Sequence, residues 1–309
     1  MIRLIASDMD GTLLNSAGYI TKHTANIIQK IQKSGIEFIV NTGREYHSAK
    51  RELDAASVCC DMICYGGACT YDQFGNPYHV TPIPKSIARA ILQIFESHNV
   101  FADISTDYGK SSISDPAHLL SYYNHHVLPA AKLENKVYFK TQEDFDDMTS
   151  RVRYFADMDS LLGSETPIYK ISTTFIDPTK IEYLKKEIEH LTNLHITSTA
   201  PTNIEVTHVR AQKGYALLQY AQTRSILPSE ILAVGDSEND RSMLSLDLGI
   251  TAAMANAPEA IQRICSAIAP SNDQDGVAAL MENILYERSF YETKHHPLFI
   301  DVPFESMIL

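Results

Sequence analysis

Two aspartates separated by a single residue follow the first apolar run of the sequence. Residues 4–6 are apolar, and Asp8, Asp10 and Gly11 come shortly after them. On an extended chain, side chains two residues apart point the same way, so the carboxylates repel each other unless a cation lies between them or one holds a proton. Gly11 permits a tight turn whose amide groups can face an anion. The pattern therefore indicates metal binding together with acid–base chemistry.

Polar residues follow two further apolar runs in the same way. The run 36–40 ends in Asn-Thr-Gly-Arg, and the run 231–234 ends in a segment rich in acids. The chemically useful residues at these two places are Thr42, Gly43 and Arg44, and Asp236, Asn239 and Asp240. A surface turn is the alternative interpretation of Asp8 and Asp10 taken alone. Three polar strand ends, with Lys213 opening the helix before the last of them, favour one shared site.

The apolar runs are predicted to be neighbouring strands of one parallel sheet. Each is too short for a helix and is apolar except for Glu37 in the run 36–40, which is typical of parallel sheets that bind ligands beyond the carboxyl ends of their strands. Helices are predicted between them, over 21–34 behind a Thr21 cap and over 46–56. The expected fold is therefore α/β, a doubly wound parallel sheet formed by residues 1–81 and 203–288.

The character of the sequence changes over residues 82–202. Longer amphipathic helices alternate there with half-polar strands, which predicts an inserted α+β domain whose sheet has helices on one face and an open second face. Such a layer could cover the site. A group of two tyrosines and two histidines within 122–126 could contact a substrate, although ordinary packing is the more common role of such residues. Residues 289–309 form a C-terminal tail without periodicity.

The composition excludes several classes of protein. The 309 residues are 44% hydrophobic, which suffices for a sizeable core, and their formal net charge of -12 argues against a nucleic-acid partner. The five cysteines show neither zinc-ligand spacing nor a disulfide framework, so reduced thiols and a cytoplasmic location are expected. No run approaches the ~18 apolar residues of a membrane span. The expected state is a monomer or a homodimer.

In their order along the chain, the motifs resemble those of the haloacid dehalogenase (HAD) superfamily of phosphotransferases. The four motifs are Asp8-Met9-Asp10-Gly11-Thr12, Thr42, Lys213 and Gly235-Asp236-Ser237-Glu238-Asn239-Asp240. The insertion between the second and third motifs, with Asn256-Ala257 and Asp275-Gly276-Val277 further on, resembles the Cof-type branch (type IIB). That resemblance implies a Rossmann-like core with a large α/β cap and the activity of a sugar-phosphate phosphatase.

The resemblance also implies a role for each motif residue. Asp8 would be the nucleophile that forms an aspartyl-phosphate, and Asp10 the acid that protonates the leaving group and then activates water. Mg²⁺ would be held by Asp8, the main-chain carbonyl of Asp10 and Asp236, with Asp240 as a further acidic candidate. The residues implied to bind phosphate are Met9, Gly11, Thr42, Gly43, Arg44, Lys213 and Asn239.

Some of these residues have simpler explanations when taken alone. Lys213 could be a solvated lysine at a helix start, and Asp240 could cap a helix. Beside the first motif, Thr42 and Lys213 are expected to be catalytic groups that bind phosphate oxygens. Asn239 and Asp240 would then orient Lys213 or metal-bound water.

The chain departs from the family pattern at two places. Gly66-Gly67-Ala68 follows the third strand where relatives have Asn-Gly-Ala, so an amide near the substrate is missing. Before Lys213, His208 and Arg210 occupy positions where Pro and Gly are usual. These two residues, two apart at a strand end, could face the cleft together and bind a second anionic group. An exposed strand-end pair is the alternative.

The expected function is that of a Mg²⁺-dependent phosphatase acting on small phosphorylated metabolites, in particular sugar phosphates. A dehalogenase would not need the acid Asp10, and an ion-pumping ATPase would have Lys-Thr after the nucleophile together with membrane helices. Two alternatives stay open. A phosphomutase of the same cap type would retain Asp10 but return the phosphoryl group to a sugar. A non-catalytic phosphate-binding regulator would be expected to lose at least one motif, and the core carboxylates are all present.

Overall fold

A computed structural model describes residues 1–133, 139, 141–198 and 200–294 of the chain, with side chains up to Tyr286. The described residues form two β-sheets, each packed against helices. Most of the predicted C-terminal tail, residues 295–309, lies outside the described residues. The last helix already extends past the predicted boundary at 288.

Strands and helices alternate along much of the chain. In chain order the strands are β1 (Leu4–Ser7), β2 (Glu37–Asn41), β3 (Asp61–Cys64), β4 (Cys69–Tyr71), β5 (Pro77–Val80), β6 (Asp103–Thr106), β7 (Gly109–Ser112), β8 (Arg153–Tyr154), β9 (Ile168–Thr174), β10 (Leu194–Thr197), β11 (Asn203–His208), β12 (Ile231–Gly235), β13 (Ile250–Met254) and β14 (Ala267–Ala269). The helices are α1 (Lys22–Lys33), α2 (Tyr46–Ala55), α3 (Lys85–Ser97), α4 (Pro116–Tyr122), α5 (Leu128–Leu133), α6 (Gln142–Ser150), α7 (Met158–Leu162), α8 (Pro178–Ile188), α9 (Lys213–Thr223), α10 (Arg241–Leu244), α11 (Glu259–Gln262) and α12 (Gly276–Lys294). A π-helical segment, Tyr123–Val127, joins α4 to α5.

Eight of the described strands form the larger sheet, in the order β14-β13-β12-β1-β2-β3-β4-β5. The strands from β14 to β3 are parallel, and β4 and β5 add an antiparallel edge. The winding direction reverses between the central strands β1 and β12. Ligands of open α/β sheets bind at such a reversal, beyond the carboxyl ends of the strands. The predicted doubly wound α/β fold is confirmed.

Both faces of the larger sheet are covered by helices. Ile5 and its neighbours pack against α1, α2 and α12, whereas Leu4 and Ala6 pack against α9, α10 and α11. Thr21 caps α1, as the sequence predicts, because its side chain accepts a hydrogen bond from the Thr24 amide. Burial on both sides explains why these runs in the sequence are almost entirely apolar.

The other six described strands form a second sheet, in the order β10-β11-β9-β6-β7-β8. One face carries apolar side chains that pack against α3, α7 and α8. The alternate positions point to the opposite face, which is polar and includes Asp103, Ser105, Lys170, Ser172 and Glu205. This sheet therefore has the one open face that its alternating sequence predicts.

The second sheet extends further along the chain than the predicted boundary. The sequence pattern predicts that the chain returns to the larger sheet at residue 203, but Asn203–His208 is strand β11, which pairs with β9 and β10. The alternation of a strand shows which of its faces is buried but not which sheet it joins. The boundary therefore moves to the turn after His208. The division into core and inserted domain otherwise stays a proposal.

None of the described helices is long and apolar enough to cross a membrane. The five cysteines are free thiols. Burial raises the pKa of the Cys60 thiol to about 12, which makes this thiol a poor nucleophile.

Candidate active site

Asp8 lies just beyond β1, at the point where the winding of the larger sheet reverses. Its amide donates to the Val234 carbonyl oxygen of β12 at 2.9 Å. Its side chain is only 5% exposed, and Lys213 Nζ donates to Asp8 Oδ1 at 2.5 Å. Lys213 opens α9 with a side chain that is 1% exposed. It is therefore not a solvated lysine but a buried ammonium that faces the predicted nucleophile.

Asp240 shares the same ammonium group. Lys213 Nζ donates to Asp240 Oδ1 at 2.6 Å. The second oxygen, Asp240 Oδ2, accepts hydrogen bonds from the amides of Asp236 at 3.1 Å and Ser237 at 3.0 Å. Asp240 thus holds the acidic loop after β12 in shape and fixes Lys213 at the same time. Asp240 makes the orienting contact with Lys213 that the motif implies, but its side chain makes no capping hydrogen bond to α10.

Asp236 lies against the first motif, beside Gly11. Gly11 has a φ of +75°, and a Cβ at this position would overlap the Asp236 carboxylate, so both the backbone and the available space require glycine. Thr12 Oγ1 donates to Asp236 Oδ1 at 3.3 Å. Carboxylate oxygens of Asp8, Asp236 and Asp240 all lie within 4.8 Å of one another.

Three carboxylates therefore surround one ammonium. Burial and the charge of Asp240 raise the pKa of Asp8 well above its ordinary value, while Lys213 opposes them. The same causes raise the pKa of Asp236 to about 6. Burial acts to lower the pKa of Lys213, but Asp240 and Asp8 raise it above its ordinary value. The surplus of negative charge and the hard oxygen donors fit a divalent cation such as Mg²⁺.

Asp10 lies on the accessible side of the site, and its side chain is 60% exposed. Arg44 grips its carboxylate at both oxygens, with Nε to Oδ2 at 2.8 Å and Nη2 to Oδ1 at 2.6 Å. Arg44 Nη1 lies 3.7 Å from Glu52 Oε1 on α2. The Asp10 carboxylate is not among the three clustered acids of the described chain. A metal contact from this residue would involve its carbonyl, as the sequence analysis expects.

Thr42, Gly43 and Asn239 lie at the same edge of the larger sheet. Thr42 is buried after β2, and its hydroxyl oxygen accepts a hydrogen bond from the Arg44 amide at 3.1 Å. A Cβ added to Gly43 would lie 4.0 Å from Asn239 Nδ2, so the two loops approach each other here. The Met9 side chain is buried in an apolar cluster, which leaves only its main chain to meet a phosphate.

His208 and Arg210 do not face the cleft together, as was expected of a pair that binds a second anionic group. Ile204 and Val206 of β11 face the apolar cluster of the second sheet, and His208 continues their alternation, on the face opposite to Glu205. Arg210 is exposed in the following turn, and its amide donates to His208 Nδ1 at 3.1 Å. The expected pair of cleft-facing residues needs correction, because strand alternation turns His208 away. The structure favours the alternative of a strand-end pair.

Three residues outside the predicted set also support the site. Thr12 bonds to Asp236, as described above. Asn41 Nδ2 donates to the Lys213 carbonyl oxygen at 3.0 Å, and Asn41 Oδ1 has no hydrogen-bond partner among the described residues. Asn256 Nδ2 donates to the Gly11 carbonyl oxygen at 2.8 Å. All three residues lie within the sequence motifs described above. A motif shows where such a residue lies in the chain, but it does not show with which atoms its side chain forms hydrogen bonds.

A cavity of about 270 Å³ lies between the loop after β2 and the open face of the second sheet. The loop after β2 and helix α2 contribute Gly43, Arg44, Glu45, Ser48 and Arg51 to its lining. The open face contributes Asp103, Ser105, Lys110, Lys170, Ser172, Thr174, Asn203 and Glu205. A more apolar wall consists of Tyr122, Tyr123, Val127, Phe139 and Met148. Lys170 Nζ donates to the Gly43 carbonyl oxygen at 3.4 Å, so the cavity lies beside the loop that carries Thr42.

Comparisons with known proteins agree with one another. A family model described as haloacid dehalogenase-like hydrolase matches residues 5–281. The chain is 32% identical over 286 residues to phosphatase YwpJ of Bacillus subtilis (strain 168), covering 92% of this chain and 100% of that protein. It is 27% identical over 293 residues to 5-amino-6-(5-phospho-D-ribitylamino)uracil phosphatase YwtE of the same organism, covering 92% and 98%. A solved haloacid dehalogenase-like hydrolase from B. subtilis is 31% identical with a TM-score of 0.76, covering 91% of this chain and 99% of that chain.

Proposed function

The chain belongs to the haloacid dehalogenase-like hydrolases, and from this premise we propose that it is a Mg²⁺-dependent phosphatase that works through an aspartyl-phosphate on Asp8. It is a phosphoric monoester hydrolase, like the relatives named phosphatases. The observation that carries the proposal is the buried Lys213 ammonium, 2.5 Å from Asp8 and 2.6 Å from Asp240. A lysine held there supplies positive charge to the oxygens of a phosphoryl group on Asp8.

The acid cluster would hold the Mg²⁺. Asp8 and Asp236 would supply carboxylate oxygens and Asp10 its main-chain carbonyl, since hard oxygen ligands suit this ion. We assign Asp240 a positioning role instead of the ligand role, because both of its oxygens already accept hydrogen bonds. When bound, the ion would supply further positive charge to the phosphoryl oxygens.

The reaction would proceed in two displacements at phosphorus. The Asp8 carboxylate forms an O–P bond as the ester P–O bond breaks, and Asp10 gives its proton to the departing oxygen. One oxygen of Asp10 would carry this proton, while Arg44 keeps the carboxyl group oriented through its hydrogen bond to the other oxygen. Water then attacks the aspartyl-phosphate and gives its proton to Asp10, which releases phosphate and regenerates Asp8.

We propose sugar phosphates and similar small phosphorylated metabolites as substrates. The cavity beside the phosphoryl site has a polar floor and an aromatic wall that includes Tyr122 and Tyr123. This combination suits the hydroxyl groups and the C–H face of a sugar. A phosphomutase of the same cap type would use the same core groups, but its product would be an isomer of the substrate, without free phosphate.

Release of inorganic phosphate from a panel of sugar phosphates tests the proposal. We expect turnover that stops in EDTA and returns with Mg²⁺. The Asp8→Asn variant should show no turnover, because the amide has nearly the same shape but is a far poorer nucleophile. Asp54→Asn, which alters an exposed acid of α2, is the matched control and should retain activity.

Two outcomes would contradict this assignment. A folded Asp8→Asn protein that releases phosphate would exclude Asp8 as the nucleophile, and full activity in EDTA would exclude the metal. Conversion of a sugar phosphate to an isomer without phosphate release would indicate the phosphomutase instead.

A further inference from the structure

Two acid–base pairs lie on the open face of the second sheet, within the cavity. Lys110 of β7 contacts the Asp103 carboxylate of β6, and Lys170 Nζ of β9 lies 3.2 Å from Glu205 Oε1 of β11. All four residues line the cavity. Their side chains are mostly covered, with exposed fractions of 15% for Asp103 and 14% for Lys170. The proposed phosphoryl chemistry uses none of them.

Strand pairing arranges these side chains in rows with hydroxyl groups between them. The two rows are Glu205-Ser172-Asp103 and Lys170-Ser105-Lys110. Neighbouring strands are about 4.8 Å apart, so each row presents polar groups at about that interval. This interval is close to the separation of hydroxyl-bearing carbons four bonds apart along an extended carbon chain. The face therefore offers acceptors, hydroxyls and donors in a pattern that a polyol can match.

The cationic side chains that line the cavity already have carboxylate partners. Among the described residues these cations are Arg44, Arg51, Lys110, Arg151 and Lys170. Their partners are, in the same order, Asp10, Glu52, Asp103, Asp147 and Glu205. Burial acts to lower the pKa of Lys110, but Asp103 raises it well above its ordinary value, so this ammonium keeps its charge. A second anion that approached Lys110 or Lys170 would have to displace a carboxylate from its cation, which is unfavourable because these two lysines are mostly covered.

Resting on the proposed function, we propose that these two acid–base pairs select the leaving group. They would favour phosphate esters of neutral, hydroxyl-rich compounds over esters that carry a second anionic group. A carboxylate accepts hydrogen bonds from hydroxyls and an ammonium donates to them, so an ion pair binds a diol while each charge keeps its partner. Lys170 also donates to the Gly43 carbonyl oxygen, which places this selection next to the phosphoryl site.

Two esters that differ at a single carbon test the selection. Glucitol 6-phosphate ends in a hydroxymethyl group where gluconate 6-phosphate ends in a carboxylate. We expect kcat/KM for the glucitol ester to exceed that for the gluconate ester by about tenfold or more, the usual effect of a lost charge-assisted hydrogen bond. Equal values, or a preference for the gluconate ester, would overturn the inference.

Removing the acid of a pair should shift the preference toward the anionic ester. In Asp103→Asn, Lys110 loses its partner and can bind the substrate carboxylate. The glucitol-to-gluconate ratio of kcat/KM should therefore fall about tenfold or more, with the gluconate ester improving. Glu205→Gln should act in the same direction through Lys170. A purely structural role would lower both values alike and leave the ratio unmoved, which would overturn the inference.

A matched control removes an acid from an ion pair outside the cavity. Asp159 pairs with Arg89 at 2.7 Å on the surface of the same domain. Asp159→Asn should leave the ratio unchanged, and a shift as large as that of Asp103→Asn would overturn the inference. If Asp103→Asn fails to fold, the glucitol-to-gluconate ratio of kcat/KM in the wild type and in Glu205→Gln still tests the inference.

A third ester separates this inference from the proposed function. The leaving group of p-nitrophenyl phosphate has no hydroxyl substituents for the sheet to contact. Hydrolysis of this ester together with a preference for gluconate 6-phosphate would overturn the selection alone. Absence of phosphate release from all three esters would overturn the proposed function and, with it, the inference.

Discussion

Single residues of the site carry charges that only partly cancel. Asp8, Asp236 and Asp240 face one another with only Lys213 among them. Lys213 is tied to Asp8 and Asp240, whereas the contact described here for the Asp236 carboxylate is the Thr12 hydroxyl. Asp236 is therefore an acid whose ionised form is disfavoured by its surroundings when no metal is bound. Its replacement should separate metal binding from folding.

We expect Asp236→Asn to stabilise the metal-free protein at neutral pH. The fold raises the pKa of Asp236 from 3.8 to about 6, so the folded chain disfavours the ionised form. This residue's contribution to the free energy of unfolding is then most favourable below pH ~4, falls as the pH rises to about 6, and stays low above that. The amide removes a loss of about 1–3 kcal/mol. Thermal scans in EDTA should show a higher midpoint for the variant at pH 7.5 but not at pH 4.

The same thermal scans in the presence of Mg²⁺ test whether Asp236 is a ligand of the ion. The wild-type midpoint should rise with the ion, because only the folded state holds the ligands together. The variant should respond little and should lose phosphatase activity. An unchanged midpoint for the variant in EDTA at pH 7.5, or a full Mg²⁺ response, would contradict the assignment.

Arg44 gives a second prediction for a single residue. Arg44→Gln should release the Asp10 carboxylate from its two hydrogen bonds, so protonation of the leaving group should suffer most. We expect kcat for a sugar phosphate, whose alkoxide needs that proton, to fall about 10- to 100-fold. The fall for p-nitrophenyl phosphate should be much smaller, because nitrophenolate leaves without a proton.

The control for Arg44 is Arg263→Gln, which alters an exposed ion pair with Glu259 on α11 and should change neither rate. An equal loss for both esters would assign Arg44 to phosphate binding, as the sequence analysis expects, and not to the orientation of Asp10.

Among the elements, the loop after β3 determines where α9 begins. Gly67 has a φ of +110°, and a Cβ there would lie 2.5 Å from the carbonyl oxygen of Gln212, the residue before Lys213. Gly66 has a φ of +67°, but a Cβ there meets nothing within 4 Å. Both glycines thus have a left-handed backbone, but only Gly67 also lacks space for a side chain. Only Gly67 is needed for the close approach that positions Lys213.

We therefore expect Gly67→Ala to be damaging and Gly66→Asn to be tolerated. The alanine methyl would push away the backbone that holds Lys213, which should lower the free energy of unfolding by about 1–3 kcal/mol and reduce kcat. Asn enters the left-handed region more readily than other non-glycine residues and has room here. Its effect should stay within about 0.5 kcal/mol. Chemical denaturation and kcat measure both variants, and equal damage from the two would contradict this account.

The sequence could predict the elements of the core because their signals are local. An apolar run, a capping residue such as Thr21 and a polar strand end are each readable within a few positions. The partner of a strand is not local, which is why the predicted boundary at 203 separates β11 from its partners β9 and β10, and why the sequence left two placements open for His208. The grip of Arg44 on Asp10 joins two loops 34 residues apart in sequence, so neither motif alone predicts it.

In the whole molecule, the second sheet meets the catalytic loops at a few defined contacts. The Tyr65 hydroxyl, at the end of β3, donates to the Thr106 carbonyl oxygen at 3.2 Å, and its ring lies 5.0 Å from that of Tyr169 on β9. Arg51 of α2 lies 3.7 Å from Asp144 of α6. Together with the contact between Lys170 and Gly43, these interactions hold the sheet over the site. This arrangement can exclude water from Asp8 while presenting the polar face to a leaving group.

The last prediction concerns the removal of that cover. Replacing residues 82–208 by a short linker, with β11 included because it pairs with β9, leaves the core groups that would contact the phosphoryl group. The core contacts the phosphoryl group, which all substrates share, whereas the second sheet contacts the leaving group, which differs among them. The second sheet therefore sets the ratios of kcat/KM between substrates. We expect the ratios among sugar phosphates to shrink to within about threefold, while hydrolysis of p-nitrophenyl phosphate falls much less. Circular dichroism and the Mg²⁺ response would establish that the shortened chain is folded. If that folded chain kept the full-length ranking of sugar phosphates, selection would reside in the loops of the core, and the row from Glu205 to Asp103 would have no part in it.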